Sequence, residues 1–515
     1  MLAKVFSAAV LGIDAYKVEI EVNATMWGKE SFVNVVGLPD NAVRESKDRV
    51  QSAIESCALP YPYGKTVVNL APADIKKEGA SFDLPIALGM LVAGGSLPKE
   101  KVEGGLFVGE LALHGLVRPV KGALPVALFA SGQADIRFLM VPELNAAEAA
   151  IASGELPVYP VNNLRQAFEF LSGNIQIDPV KGSLEAARDG SLAPREFPDF
   201  MDVKGQSYVK RAIEIAAAGG HNLLMIGPPG TGKSMLAKRV PGILPDMHVR
   251  EALEVTKIHS IMGLLDPSSP VVSLRPFRSP HHTISDAGLL GGGTIPGPGE
   301  VSLAHKGVLF MDELPEFRRN VLEVLRQPLE SGNVTISRAA GSLTFPSDFM
   351  LIAAMNPCPC GHFGSPQREC RCSTFQVQNY RNKISGPLLD RIDIHVEVAP
   401  LSEDELLRAP DGERSEAIRS RVKGARDAQQ RRFVGRGLFA NARMESAELR
   451  DFCALGKDCV DYLRHSIRDL NLSARAYDRI LKVARTVADI EGCELINLEH
   501  VCEAVQYRTL DRKLW

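Results

Sequence analysis

The chain predicts an α/β fold of several domains, with a parallel-sheet domain at its centre and a helical block behind it. Three observations carry that prediction. The eight residues Gly227–Ser234, GPPGTGKS, follow an apolar run, Leu223–Ile226, and precede a helix-compatible stretch, Met235–Val240. Strand-like runs at Val308–Asp312, Phe349–Ala354 and Ile392–Val398 alternate with helical stretches, the pattern of a parallel sheet covered by helices. From about residue 401 the periodicity is helical, clearest over Leu472–Glu491 and Leu498–Tyr507.

Taken from the start, 515 residues call for more than one domain. Residues 1–175 mix strands (Lys17–Val22, Ser31–Val36, Thr66–Leu70) with helical stretches (Asn41–Ser56, Leu84–Ala93). The apolar run Val5–Ile13 has signal-peptide length, but Asp14 and Lys17 follow it and no small-residue cleavage site appears. The alternation of Lys17–Val22 makes it the first strand of a sheet instead. Residues 176–200 are polar, with scattered Pro and Gly, and read as a linker. Residues 201–400 form the nucleotide-binding domain, entered by an amphipathic helix from Lys204, and residues 401–515 the helical domain. No apolar run reaches membrane-spanning length, so the expectation is a cytoplasmic protein with no membrane partner. Its nine cysteines are then thiols or metal ligands, not a disulfide framework. The net charge of -3 neither announces nor excludes a nucleic-acid partner; any basic surface is local.

The central block carries the chemistry. Gly227, Pro228, Pro229, Gly230, Thr231, Gly232, Lys233 and Ser234 match the phosphate-loop pattern at every fixed position. Its glycines let the backbone N–H groups face a phosphate, and the following helix adds its positive end. Lys233 reaches the outer phosphates of ATP, and the Ser234 hydroxyl is a ligand for Mg2+. Val308–Met311 is an apolar strand ending in Asp312 and Glu313, which it delivers to the carboxyl edge of the sheet, where ligands of open α/β sheets bind. Asp312 serves as the second Mg2+ holder and Glu313 as the base that polarises the attacking water. The next strand ends at Asn356, whose amide can orient that water or touch the γ-phosphate. Arg391 stands just before a strand. It either stabilises the phosphoryl transition state from a neighbouring subunit or pairs with Asp390 or Asp393 in its own chain; position alone does not separate the two.

The order GPPGTGKS, VLFMDE, AAMNP, LLDRID resembles the AAA+ ATPase series of Walker A, Walker B, sensor 1 and arginine finger. The connecting segments Arg275–Thr283, Gly291–Gly293 and Pro298–His305 resemble the magnesium-chelatase-like branch of that superfamily. Within it, nearly the whole chain is similar to the bacterial ComM-type (YifB-like) competence helicases. The resemblance implies an ATP-driven homohexameric ring acting on branched or single-stranded DNA in recombination. It also implies a second sensor arginine, carried here to Arg475, for which the other reading is a solvated helix charge.

Gly332–Pro346 reads as a hairpin with Arg338 near its tip. Related ATPases project a similar hairpin into the ring pore, where an arginine would meet phosphates without reading sequence; an exposed arginine with no partner is the alternative. Residues 277–300 are a second insertion, rich in Gly, Pro and His. Its adjacent His281 and His282 suit loop hydrogen bonding better than metal binding. The arginine-rich stretch 414–436 is either a solvated helix face or a second DNA contact.

Cys358, Cys360, Cys370 and Cys372 form C-x-C-x9-C-x-C within an insert at 356–373. Four thiolates close a tetrahedral Zn2+ site, with His362 as a substitute ligand; unliganded reduced thiols are the other reading. In the first block, Leu111–Val120, Gly122–Ala130 and Phe138–Pro142 resemble the proteolytic domain of Lon-type proteases. Ser81 falls at the family's nucleophile, but Val126 falls where the lysine base belongs and Lys121 is out of register, so no peptidase activity is expected. The function expected is an ATP-dependent DNA motor. The alternatives are a metal-insertion ATPase subunit of magnesium-chelatase type and an ATP-dependent protease.

Overall fold

The structure, a computed structural model, describes residues 2–25, 31–77, 79–183, 197–293, 296–338, 341–365, 368–407, 412–470 and 472–510. The chain divides into two compact units, one of residues 1–193 with 248–273, the other of 194–247 with 274–515.

The first unit is built on a seven-stranded mixed sheet. Its order is Ser31–Val36, Gly64–Ala71, Asp14–Thr25, Leu2–Leu11, Gly105–Phe107, Phe138–Pro142 and Val158–Val161. The apolar run expected to be a strand to Ile13 turns two residues earlier. Gly12 adopts φ +66, a conformation that costs glycine nothing, and Leu11 then pairs with Asp14 in a tight antiparallel hairpin. Alternation along Asp14–Thr25 buries Val18, Ile20 and Val22 completely against the helix Asp83–Ala93, which is buried along its whole length. That helix is pinned by the fully buried Asp83, which accepts from Arg49 Nε (2.7 Å) and the Leu111 N–H (3.2 Å). Ser81 stands at its entrance, Val126 is buried, and the stem of Lys121 lies along Gly263.

One segment of this unit comes from far along the chain. The helix Val249–Met262 packs on Ala123–Ser131. Its Lys257 ammonium pairs with Asp14 (2.7 Å), the Ser260 carbonyl accepts from the Gly122 N–H (3.1 Å), and the Ser260 hydroxyl donates to Glu148. Residues 248–273 lie inside the 201–400 stretch of sequence, yet they group with the first block.

The second unit holds a five-stranded, all-parallel sheet. Its order is Phe277–Arg278, Val308–Met311, Met350–Met355, Leu223–Ile226 and Ile394–Glu397. The central strands are buried on both faces, as their unbroken apolar runs require. The helices of the C-terminal block share this core: Ile418, Val422, Ile480, Ala484 and Val501 pack in one cluster with Leu223, Ile352 and Ile394. The end of the 176–200 stretch is also packed. Phe200 is buried, and the Asp199 carboxylate accepts from the N–H and hydroxyl of Ser415.

Candidate active site

The strand register decides which side chains meet. Leu223–Ile226 and Met350–Met355 run parallel in register, Ile226 opposite Met355. The chain leaves both strands at the same edge, so Gly227 and Asn356 emerge side by side. The Gly227 N–H donates to the Met355 carbonyl (3.2 Å). On the other flank of Met350–Met355 lies Val308–Met311, which puts Asp312 at that edge too.

The phosphate loop turns through Gly230 and Gly232, at φ +81 and +89, where a β-carbon would be strained. Lys233 opens the helix Lys233–Ala237. Its ammonium donates to the carbonyls of Gly227 (2.7 Å) and Pro228 (2.8 Å) and to Asn356 Oδ1 (3.2 Å). Burial lowers its pKa below the usual lysine range, against the opposing pull of Asp312 and Glu313. The Ser234 hydroxyl donates to Asp312 Oδ2 at 2.5 Å, and Asp312 Oδ1 accepts the Glu313 N–H at 2.9 Å. A hydroxyl and a carboxylate in contact are oxygen ligands of the kind Mg2+ takes. The residues singled out in sequence as Mg2+ holders and as nucleotide contacts therefore converge, with Asn356 among them.

Glu313 is one of the few non-glycine residues in the left-handed region, at φ +52. That conformation costs about 1–2 kcal/mol. The insertion 277–300, whose histidines sequence reading leaves to loop bonding, supplies a partner: His282 Nδ1 is 3.5 Å from Glu313 Oε2. His282 is stacked on His281 with ring centroids 4.1 Å apart, and His281 shares a hydrogen bond with the Thr283 hydroxyl (2.9 Å).

Arg391 goes elsewhere. Neither Asp390 nor Asp393, the in-chain partners weighed from sequence, takes it; Asp393 is held by Arg479. Arg391 donates to Glu330 Oε2 (2.6 Å) and to the Pro387 carbonyl (2.6 Å). Arg475 is exposed in the first turn of Ala474–Ile490. Glu330 is held below the usual carboxylate range by Arg391 foremost, with Arg475 and Arg479 adding to it. Among the described residues, neither Arg391 nor Arg475 has a hydrogen bond or ion pair with the phosphate loop of its own chain.

The hairpin forms as expected, with Asn333–Arg338 antiparallel to Gly341–Pro346. Val334, Ile336 and Phe345 are buried, while Thr335–Thr344 (3.1 Å) and Ser337–Ser342 (2.8 Å) link hydroxyls across the exposed face. Arg338 ends the first strand; its side chain, like residues 339–340, lies outside the described residues. The basic stretch 414–436 is largely spent on internal pairs, Arg419 with Asp246, Arg421 with Glu214 and Glu413, Arg432 with Asp489 and Arg436 with Asp451.

The four clustered thiols come together, all unpaired by disulfides. Cys358 Sγ is 3.4 Å from that of Cys360 and 3.6 Å from that of Cys370, and Cys360 and Cys370 are 3.6 Å apart. With Cys372 they fit within the span of one metal ion. Ligands about 2.3 Å from a tetrahedral Zn2+ stand about 3.8 Å apart, so the cage matches. His362 is not part of it; its backbone and that of Arg371 instead lower the Cys360 thiol to about 6. The loop abuts the phosphate loop: a β-carbon on Gly361 (φ +83) would sit 2.6 Å from Pro229 Cδ.

Comparison with known proteins fits this geometry. Residues 199–406 match the family model of magnesium chelatase, subunit ChlI, residues 18–145 that of subunit ChlI of Mg-chelatase, and residues 412–508 that of the ChlI C-terminal region. The chain is 44% identical over 516 residues to the YifB protein of Salmonella typhimurium, covering 100% of this chain and 98% of the relative. It is 44% identical over 514 residues to competence protein ComM of Haemophilus influenzae, again covering 100% and 98%. Identity falls to 24% over 331 residues with the magnesium-chelatase 38 kDa subunit of Cereibacter sphaeroides, covering 60% of this chain and 89% of the relative.

Proposed function

We propose that this chain, which belongs to the ComM/YifB branch of the magnesium-chelatase-like AAA+ ATPases, is an ATP-driven motor on DNA. The observation that carries the hydrolytic half is the convergence of Lys233, Ser234, Asp312 and Asn356 at one sheet edge. In the nucleotide complex the backbone N–H groups of residues 227–234 hold the phosphates. Lys233 exchanges its two carbonyl partners for phosphate oxygens, and its partial desolvation favours that exchange. Ser234 and Asp312 hold Mg2+, which draws charge from the transferring phosphoryl group when bound. Glu313 accepts the proton of the attacking water and Asn356 orients that water. Arg391 acts on a neighbour's nucleotide, which makes the working form a ring, read here as a homohexamer, and Arg475 is the second sensor. Asp312, Glu313, Asn356, Arg391 and Arg475 are thus the catalytic set.

The DNA half rests on the hairpin carrying Arg338 and on the full-length similarity to a protein named for competence. It reads as branch migration or unwinding during recombination in natural transformation. The four cysteines hold a structural Zn2+ that braces the loop against Pro229. The second reading, a metal-insertion ATPase subunit, is favoured by the family models. The 44% full-length identity to a protein named for competence, against 24% over part of the chain to the chelatase subunit, supports the motor reading over it.

The test compares wild type with Lys233→Ala on forked, three-stranded and four-way DNA with ATP. The motor reading expects strand separation or branch migration in wild type and none in the variant. ATP turnover that DNA leaves unchanged, with no movement of any branched substrate, would sink it.

A further inference from the structure

The two feet of the hairpin are held by charges. The first strand is entered from the short helix Arg326–Ser331 through Gly332 at φ +67, and Glu330 lies two residues before that glycine. The base is closed by the Ser347 N–H donating to the Gly332 carbonyl (2.8 Å). On the exit side, Asp348 pairs with Lys306 (2.9 Å) and Arg443. Arg443 spans both feet, reaching the Leu329 carbonyl (3.4 Å) and the Phe349 carbonyl (3.3 Å). The exit foot is thus fixed to the body of its own unit by several groups. The entry foot is tied differently. Its one ionised side chain next to Gly332, Glu330, is 61% exposed and is bonded to Arg391, which is only 11% exposed. Arg475 and Arg479 face Glu330 as well, and Arg479 is itself shared with the buried Asp393, two residues after Arg391.

We infer that Glu330 is a positioning residue that couples the DNA hairpin to the intersubunit ATP machinery. This rests on the reading of Arg391 as the trans-acting arginine. Arg391 is bonded to Glu330. A neighbour's γ-phosphate competes for the same guanidinium, since a charged, planar fork binds phosphate at least as well as a solvated carboxylate. Release of Glu330 loosens the entry foot, which Arg443 and Ser347 still touch at the Leu329 and Gly332 carbonyls, while the pairs of Asp348 with Lys306 and Arg443 keep the exit foot in place. The hairpin then pivots about its exit strand. In reverse, load on the hairpin from bound DNA pulls Glu330 away and releases Arg391 toward the neighbour. DNA binding and hydrolysis are linked through one ion pair, and the linkage works in both directions.

Glu330→Gln and Glu330→Asp are compared with wild type for ATP turnover without and with single-stranded DNA, for DNA affinity and for melting temperature. The expected result is basal turnover at or above that of wild type in Glu330→Gln, where Arg391 is no longer held, and close to wild type in Glu330→Asp. The stimulation by DNA is lost in Glu330→Gln and restored at least in part in Glu330→Asp. DNA affinity measured without nucleotide and melting temperature stay unchanged, which a merely structural role or a direct DNA contact would not allow. An unaltered stimulation ratio in Glu330→Gln overturns the inference, and so does a loss of basal turnover as deep as that of Arg391→Ala. Wild-type turnover that DNA fails to stimulate is a separate result; it removes the motor reading and this coupling with it.

Discussion

Glu313 and His282 show how much a single residue's backbone and one neighbour can set. The strand Val308–Met311 delivers two adjacent carboxylates, and strand geometry alone would send them to opposite faces. Both lie beyond the strand's end, Glu313 in a left-handed turn, with Asp312 bonded to Ser234 and Glu313 3.5 Å from His282. A base for water must be held in place, and His282 is the side chain placed to hold it. His282→Ala is expected to lower kcat about 10-fold with the KM for ATP little changed, while Glu313→Gln costs about 100-fold or more. Steady-state turnover over a range of ATP concentrations checks both; a His282→Ala enzyme with wild-type kcat would show that the contact is idle. The identities at this scale were legible: Asp312 and Asn356 follow directly on apolar strands, and Lys233 and Ser234 open the helix after the phosphate loop. The histidine contact was not, because nothing local ties residue 282 to residue 313.

At the level of elements, the cysteine loop is a small structure with no apolar core of its own. Of its described residues between 358 and 372, Cys358 and Gly361 are buried, and the thiols of Cys358, Cys360 and Cys370 stand within 3.6 Å of one another. A metal ion would supply the cohesion that packing does not. Cys358→Ser is expected to lose bound zinc, read by metal analysis of the purified protein, and to weaken ATP binding several-fold through the Gly361–Pro229 contact. Full ATP affinity in a zinc-free variant would leave the loop as a separate appendage. The spacing in sequence pointed to a metal; the abutment on the phosphate loop is a fact of packing. The hairpin was likewise readable from its alternation and its small turn residues, whereas its charged feet were not, since Glu330, Asp348 and Arg443 are far apart in sequence.

Across the whole molecule, the second unit stakes its stability on ionised carboxylates in buried or partly buried pairs. Asp393, nearly inaccessible, is held far below the usual aspartate range: burial opposes its charge, but Arg479 and His221 outweigh that. Asp348 is likewise held far below, with Arg443 and Lys306 overcoming burial. Both folded-state values lie under the unfolded value of about 3.9. Their stabilisation is therefore complete above that value and is lost as pH falls through the folded range. Melting temperature is expected to stay nearly flat from pH 7 to about 5 and to fall steeply below about 4. Asp393→Asn, which strands Arg479, is expected to cost about 3–5 kcal/mol at neutral pH and to blunt the acid slope. Denaturant melts of both proteins from pH 7 to 3 check this; identical slopes would mean that Asp393 is not the acid-sensitive group. Among the described residues no helix is long and apolar enough to cross a membrane, in line with the ordinary charged fraction of 23%.

By itself the sequence determined the parallel-sheet fold, the phosphate loop and its carboxylates, and the cysteine cage. Each of these is written in a short window, where strand alternation, helix periodicity and fixed spacing act directly on neighbouring residues. Only the tertiary structure decided that Arg391 rests on Glu330, that His282 reaches Glu313, and that the helix Val249–Met262 leaves its sequence neighbours to pack on Ala123–Ser131. Those pairings join residues that the chain separates widely. They are fixed by which strands lie side by side and which helices share a core, and no local pattern carries that information.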